Sequence, residues 1–343
     1  MIDFMKPFLL ILCSFVIHCG IAQNTIGLPE IENFSNQDFH GGTQTWSIKQ
    51  GKNGILYFAN NDGLLSFDGN YWKQYILPNK TIVRSVNIDS LTGNIYVGGQ
   101  NEFGFFSSGL NGDLNYTSLK KLIPEGLRDF ADIWHIEMLG NAVFFRANKK
   151  IFQYKDNIIR VFKAPLEWRY MKSTGDLLYA QDRDSGIMQF KNNSWQTLCN
   201  LPMLREGLIT GIQHFRNDTL IVTTLKNGIF LLHNGQLIRK PTAADQIFTS
   251  NRIYCISKLN KDEFAIGTTS GGCYIINTEG KLIQTISRTD GLQNNNILCL
   301  FVDNGQNLWM GLDNGIDFVA YNNAIKRILP DKITSWQPLQ LRL

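Results

Sequence analysis

Aromatic and basic side chains able to grip a ligand recur along the 343-residue sequence: Trp46, Arg84, Trp134, Trp168 with Arg169, and Arg252 with Tyr254. Indole and phenol rings stack on flat or cyclic groups, and guanidinium groups offer fixed forks of donors. Converging on one spot, such residues would bind an oligosaccharide or a peptide. The alternative role is to fill space between packed sheets. Little else in the sequence points to chemistry. No Gly-rich phosphate loop, H-E-x-x-H, G-x-S-x-G or paired-cysteine motif occurs, so no catalytic residue, metal ligand or cofactor is assigned. Asp303-Asn304-Gly305 before Trp309 matches the aspartate-box turn of sialidase propellers only in part. The leading Ser or Thr is missing and the Gly-to-Trp spacing is too long, so it reads as a solvated turn. His135 reads as a hydrogen-bonded core histidine rather than a base.

The elements that must position these residues form a repeat. Each unit is a β-rich run, a polar break, a second run, a turn and a third run, clearest at Asn296–Asp303, Asn307–Gly311 and Asp313–Phe318. Anchoring on Ser47, Ser85, His135, Tyr170, Gly211, Cys255 and Cys299 gives steps of 38, 50, 35, 41, 44 and 44 residues, 42 on average. Two residues before most anchors, and one after, stands a β-branched or otherwise apolar residue, such as Val83 and Val86 or Ile253 and Ile256. That pattern suits fully buried strands lining the inside of a larger structure. Turns such as Asn61-Asp62-Gly63, Asp184-Ser185-Gly186 and Lys226-Asn227-Gly228 supply residues tolerant of positive φ. A sheet of about four strands cannot cover its own faces, whereas radial stacking buries both and leaves short edges. The fold expected is therefore all-β, a single β-propeller of about seven four-stranded blades over residues 45–330. Residues 23–44 hold an alternation at Ile31 and Phe34 suited to a strand that closes the ring beside residues 297–329.

Composition agrees with an all-β chain: 43% of residues are hydrophobic and 18% charged, with 30 Gly against 9 Pro. The net charge of +4 is spread along the chain without a basic run, which argues against direct nucleic-acid binding. Residues 1–22 read as an export signal, with Lys6, the apolar stretch Phe8–Ile17 and the small-x-small site Gly20-Ile21-Ala22. No transmembrane segment is expected beyond it. Cys199, Cys255, Cys273 and Cys299 read as small buried residues. Cys255 and Cys299 occupy equivalent repeat positions, which leaves a disulfide between them open in an oxidising compartment.

Two segments go beyond a generic repeat: His40–Trp46 leading into Asn60–Gly69, and Tyr96–Phe106. With the unit Asn307–Ile316, they resemble the N-terminal periplasmic sensor region of Bacteroidetes regulators built from two-component-regulator propeller repeats and a triple-tyrosine domain. The resemblance covers about residues 23–330. It implies a non-enzymatic periplasmic sensor for signal transduction, with an oligosaccharide or peptide as ligand and an envelope protein as a further partner. In that family a second propeller, the triple-tyrosine β-sandwich, a membrane helix and a kinase or DNA-binding output follow. Here residues 331–343 read as an unrelated tail, so the chain is expected to be truncated. The competing expectations are a propeller glycosidase or lyase acting on polysaccharide, and an interaction scaffold.

Overall fold

Short β-branched and aromatic runs, cut by Gly, Asn and Asp turns, favour short antiparallel strands. The computed structural model describes residues 27–109 and 113–323. Among these it has 28 strands in seven four-stranded sheets. The expected signal, residues 1–22, and the expected tail, residues 331–343, lie outside the described residues.

In six sheets the strands lie in chain order. The seventh combines Ile297–Val302, Leu308–Leu312 and Ile316–Val319 with Ile31–Phe34 from the other end of the unit. Ile31 pairs with Val319 and Phe34 with Ile316, antiparallel. This closes the ring: the first strand of each blade contacts the first strand of the next, and the seventh contacts the first. The closure is held by side chains as well as by backbone. Asn33 Nδ2 donates to Asp317 Oδ1 at 2.8 Å, while the Gln293 backbone N–H and Nε2 donate to the same carboxylate at 3.0 and 2.8 Å. The Phe34 ring packs on Trp309 of the seventh blade and on Phe67 and Trp72 of the first, with centroids 5.8, 5.4 and 5.4 Å apart.

Second strands such as Leu56–Asn60, Ile95–Gly99 and Leu308–Leu312 are buried at every residue. The first strands, expected to be wholly buried, are not. Thr45–Gln50 and Ile253–Lys258 bury only every third residue, because their other side chains face the axial channel. The positions two before and one after the anchors, including Val83, Val86, Ile209, Ile212, Ile253 and Ile256, form the packing between blades. Blades approach closely there. A Cβ on Gly267 would stand 2.6 Å from Cys255 Sγ and 2.7 Å from Ile297 of the next blade, so only glycine fits.

In the first and fourth blades the last residue of the second strand, Asn60 or Asp182, ties down the loop that leads to the channel mouth. Asn60 Nδ2 donates to the carbonyls of Gly42 and Gln44 at 2.7 and 3.0 Å, and its Oδ1 accepts from Gly42 N–H at 2.8 Å. Asp182 accepts backbone N–H groups from Leu166, Glu167, Asp184 and Ser185 at 2.9–3.1 Å. The His40-Gly41-Gly42 segment is thus a built loop that delivers Trp46. Asp303 proves to be more than a solvated turn: its carboxylate accepts from the Trp309 indole at 3.0 Å and from Asn307 N–H at 2.9 Å. No helix among the described residues is long and apolar enough to cross a membrane.

Candidate functional site

Six of the seven first strands carry a register shift at the same place, just before the anchor. The residues skipped are Trp46, Arg84, Arg169, Thr210, Tyr254 and Leu298. A bulge inserts an unpaired residue and re-aims its side chain, and all six line one axial channel of 710 Å³. The third blade reaches the same result without a bulge. Trp134 stands one residue before His135–Leu139, with its N–H bonded to the Arg146 carbonyl at 2.9 Å, and also lines the channel.

At this mouth the Arg84 guanidinium lies against two indoles, 4.2 Å from the Trp46 ring and 4.8 Å from the Trp134 ring. The two indoles meet edge to face at 6.0 Å. Asp132 orients the guanidinium through Arg84 Nε at 3.3 Å, yet Arg84 Nη1 is buried and makes no hydrogen bond. Trp46 Nε1 is satisfied by Asn61 Oδ1 at 2.8 Å. The Trp134 indole N–H and the Tyr254 hydroxyl make no hydrogen bond among the described residues. Arg169 is tied to Glu167 at 3.3 Å and to the carbonyls of Arg205 and Gly207. The mouth therefore offers two stacking faces, a stacked cation and polar groups free to turn to a ligand.

Below the mouth the anchors line the channel: Ser47, Ser85, His135, Tyr170, Cys255 and Cys299. His135 is hydrogen-bonded, accepting at Nδ1 from Arg146 Nε at 2.8 Å, and it sits edge-on to Tyr170 at 4.9 Å. Burial, then Arg146 and Lys172, hold its pKa far below the usual histidine range, so the imidazole is neutral. Two residues further along the strands come Lys49, Glu137, Lys172, Gln213, Ser257 and Phe301.

Two expected site residues stand elsewhere or act otherwise. Arg252 does not line the channel: it is exposed, with φ 56°, and ends the helix Asp245–Asn251. Trp168 borders the channel but is 1% exposed and packs on Trp195 at 5.2 Å, which makes it chiefly a residue between blades. Cys255 and Cys299 are free thiols, each aimed at a backbone carbonyl of the next blade, Ile297 and Thr45. Thr210, Leu298 and the buried Arg146 are channel residues that the sequence did not mark. No group of three or more His, Cys, Asp or Glu side chains suited to a metal occurs among the described residues.

Fold and site define a closed seven-bladed propeller whose axial channel is walled by one strand from each blade. No protein-family model matches the chain. Histidine kinase P4 of Formosa agariphila is 26% identical over 207 residues, 57% of this chain and 14% of that protein. The extracellular domain of a B. thetaiotaomicron hybrid two component system, BT4673, superposes with a TM-score of 0.69 at 20% identity. The match covers 87% of this chain and 40% of that one. A virginiamycin B lyase from Staphylococcus aureus gives a TM-score of 0.66 at 15% identity, over 84% of this chain and 97% of that one. The chain thus spans well under half the length of the regulatory proteins it matches. The kinase match agrees with the resemblance carried by His40–Gly69 and Tyr96–Phe106 to the sensor regions of two-component regulators, and the solved structures share the fold.

Proposed function

We propose that the chain is an extracytoplasmic ligand-binding propeller of a signalling receptor, holding an oligosaccharide or a peptide at its channel mouth without converting it. The observation that carries this reading is the shared bulge, which turns one side chain from each of six blades into one mouth and costs each strand a regular pairing. Such devices gather at functional sites, and convergent Trp, Tyr and Arg are the residues that dominate recognition. The kinase and regulator likenesses favour a sensing role, with occupancy passed to further domains or to an envelope protein.

Against turnover, the acid and base groups around His135 are engaged. Glu137 accepts from Lys172 and Ser173, Glu167 holds Arg169, and the His135 Nδ1 lone pair faces Arg146. A lyase reading rests on the fold shared with the virginiamycin B lyase and on a neutral imidazole in the channel. Incubating the purified chain with polysaccharides, oligosaccharides and peptides, with binding followed by calorimetry and products by chromatography, separates the two. A sensor binds and leaves its ligand intact, whereas product formation lost in His135→Ala would establish the lyase.

A further inference from the structure

Roughly 10 Å below the mouth, three residues along strands rising about 3.3 Å each, the channel carries an unbalanced charge cluster. Lys49, Lys172 and Glu137 come from the first, fourth and third blades and line the same cavity. Glu137 is committed: Lys172 Nζ donates to its two oxygens at 3.0 and 3.3 Å, and Ser173 donates from Oγ at 2.5 Å and from N–H at 3.1 Å. It is 6% exposed. Lys49 makes no hydrogen bond and no ion pair with any described residue. Two ammonium groups thus share one carboxylate whose lone pairs are largely taken.

We propose that this ring is a binding site for a monovalent carboxylate, held between the Lys49 and Lys172 ammonium groups. One negative charge balances two lysines and one glutamate, and a small oxygen acid can accept hydrogen bonds from both ammonium groups at once. A dianion would overshoot the deficit and face Glu137 at close range. The site is separate from the mouth and stands whether or not the mouth holds a ligand. Of the other charged residues lining the cavity, Arg146 donates to His135, Asn148 and the Trp168 carbonyl, Glu167 holds Arg169, and Glu206 is exposed. Gln213, Ser257 and Phe301 stand at the same level, the Cys299 thiol, pushed up to about 12 by burial, is neutral, and so is His135.

Lys49 is itself perturbed by these neighbours. Repulsion from Lys172, then burial, pull its ammonium down to about 8, with Glu137 only partly opposing them. A carboxylate bound there restores the charge, so binding and protonation are coupled.

The test is NMR of carbon-13 acetate titrated into the purified chain at low ionic strength, following broadening of its methyl line, with circular dichroism confirming the fold at each pH. At about pH 6.5 acetate binds. At about pH 9.5 the apparent affinity falls roughly 30-fold, the drop in protonated Lys49 about 1.5 units above its midpoint. Lys49→Met abolishes the broadening. Lys49→Arg, which stays charged at both pH values, retains it at both and shows that loss in the Met variant is not unfolding. Sulfate competes more weakly than acetate. The proposal is overturned if acetate does not broaden in the native chain, if Lys49→Met binds like the native chain, if Lys49→Arg shows the same fall with pH, or if sulfate binds more tightly.

Discussion

Two tryptophans near the channel separate packing from recognition, and replacing each by alanine measures the difference. Trp168 is 1% exposed and wedged against Trp195, with its Nε1 buried and unbonded. Truncation removes a ring from between blades and leaves a cavity, which costs about 3–5 kcal/mol. Losing an already unsatisfied donor sets the expectation toward the lower end, about 3–4 kcal/mol. At about 2 °C per kcal/mol for a domain of this size, the thermal midpoint falls by about 6–8 °C. Trp134 is half-buried, and its close partners are Trp46 edge-on at 6.0 Å and Arg84 at 4.8 Å. Its truncation loses about 0.5–1.5 kcal/mol of aromatic pairing and about 0.5–1 kcal/mol of cation–π attraction, or about 2–5 °C. Melting both variants by circular dichroism in the same buffer decides the matter. If Trp134→Ala melts as low as Trp168→Ala, the Trp134 ring is packing, and the division between mouth and blade interior is wrong.

Phe34→Ala, which strips the closing strand of its packing on Trp309, Phe67 and Trp72, should cost about 3–5 kcal/mol in a denaturant melt; an unchanged midpoint means the ring closes without it. Acid should weaken the fold through His135, whose folded pKa lies far below its ordinary value. The unfolded chain takes up a proton near about 6.5 that the folded chain refuses, so this contribution is present above that pH and falls below it by at most about 1.4 kcal/mol per pH unit. His135→Gln, which keeps an acceptor for Arg146, should flatten that limb, and an unaltered acid limb counts against the assignment. Thiol counting on the unreduced, denatured chain should find Cys199, Cys255, Cys273 and Cys299 all reactive; a peptide linking Cys255 to Cys299 would refute the free-thiol geometry.

Much of the fold was legible because blade packing writes itself into the sequence at a fixed register. Val83 and Val86, or Ile253 and Ile256, flank each anchor because they are clamped between sheets. The same register, followed strictly, also corrects the site. Trp168 stands two residues before Tyr170, the position held by Thr45, Val83 and Ile209 in other blades, and so faces the neighbouring blade like them. Arg252 is two residues before the mouth position at Tyr254, because the chain enters Ile253–Lys258 from a helix whose last step is left-handed at Arg252. The bulges that turn Trp46 and Tyr254 inward leave no compositional trace. Hence Thr210 and Leu298, neither aromatic nor charged, went unmarked beside Trp46 and Arg84. Lys49, Glu137 and Lys172 share one repeat position two after the anchors. They come together only because the ring closes, which no single repeat reveals.

The most direct measurement of the mouth as a ligand site is the affinity of whichever oligosaccharide or peptide binds the native chain, repeated by calorimetry on Trp134→Ala and Arg84→Met. Both variants should stay folded and bind at least about fivefold more weakly, the equivalent of about 1 kcal/mol for each side chain truncated. A ligand that binds both folded variants as tightly as the native chain would place recognition elsewhere and contradict the account.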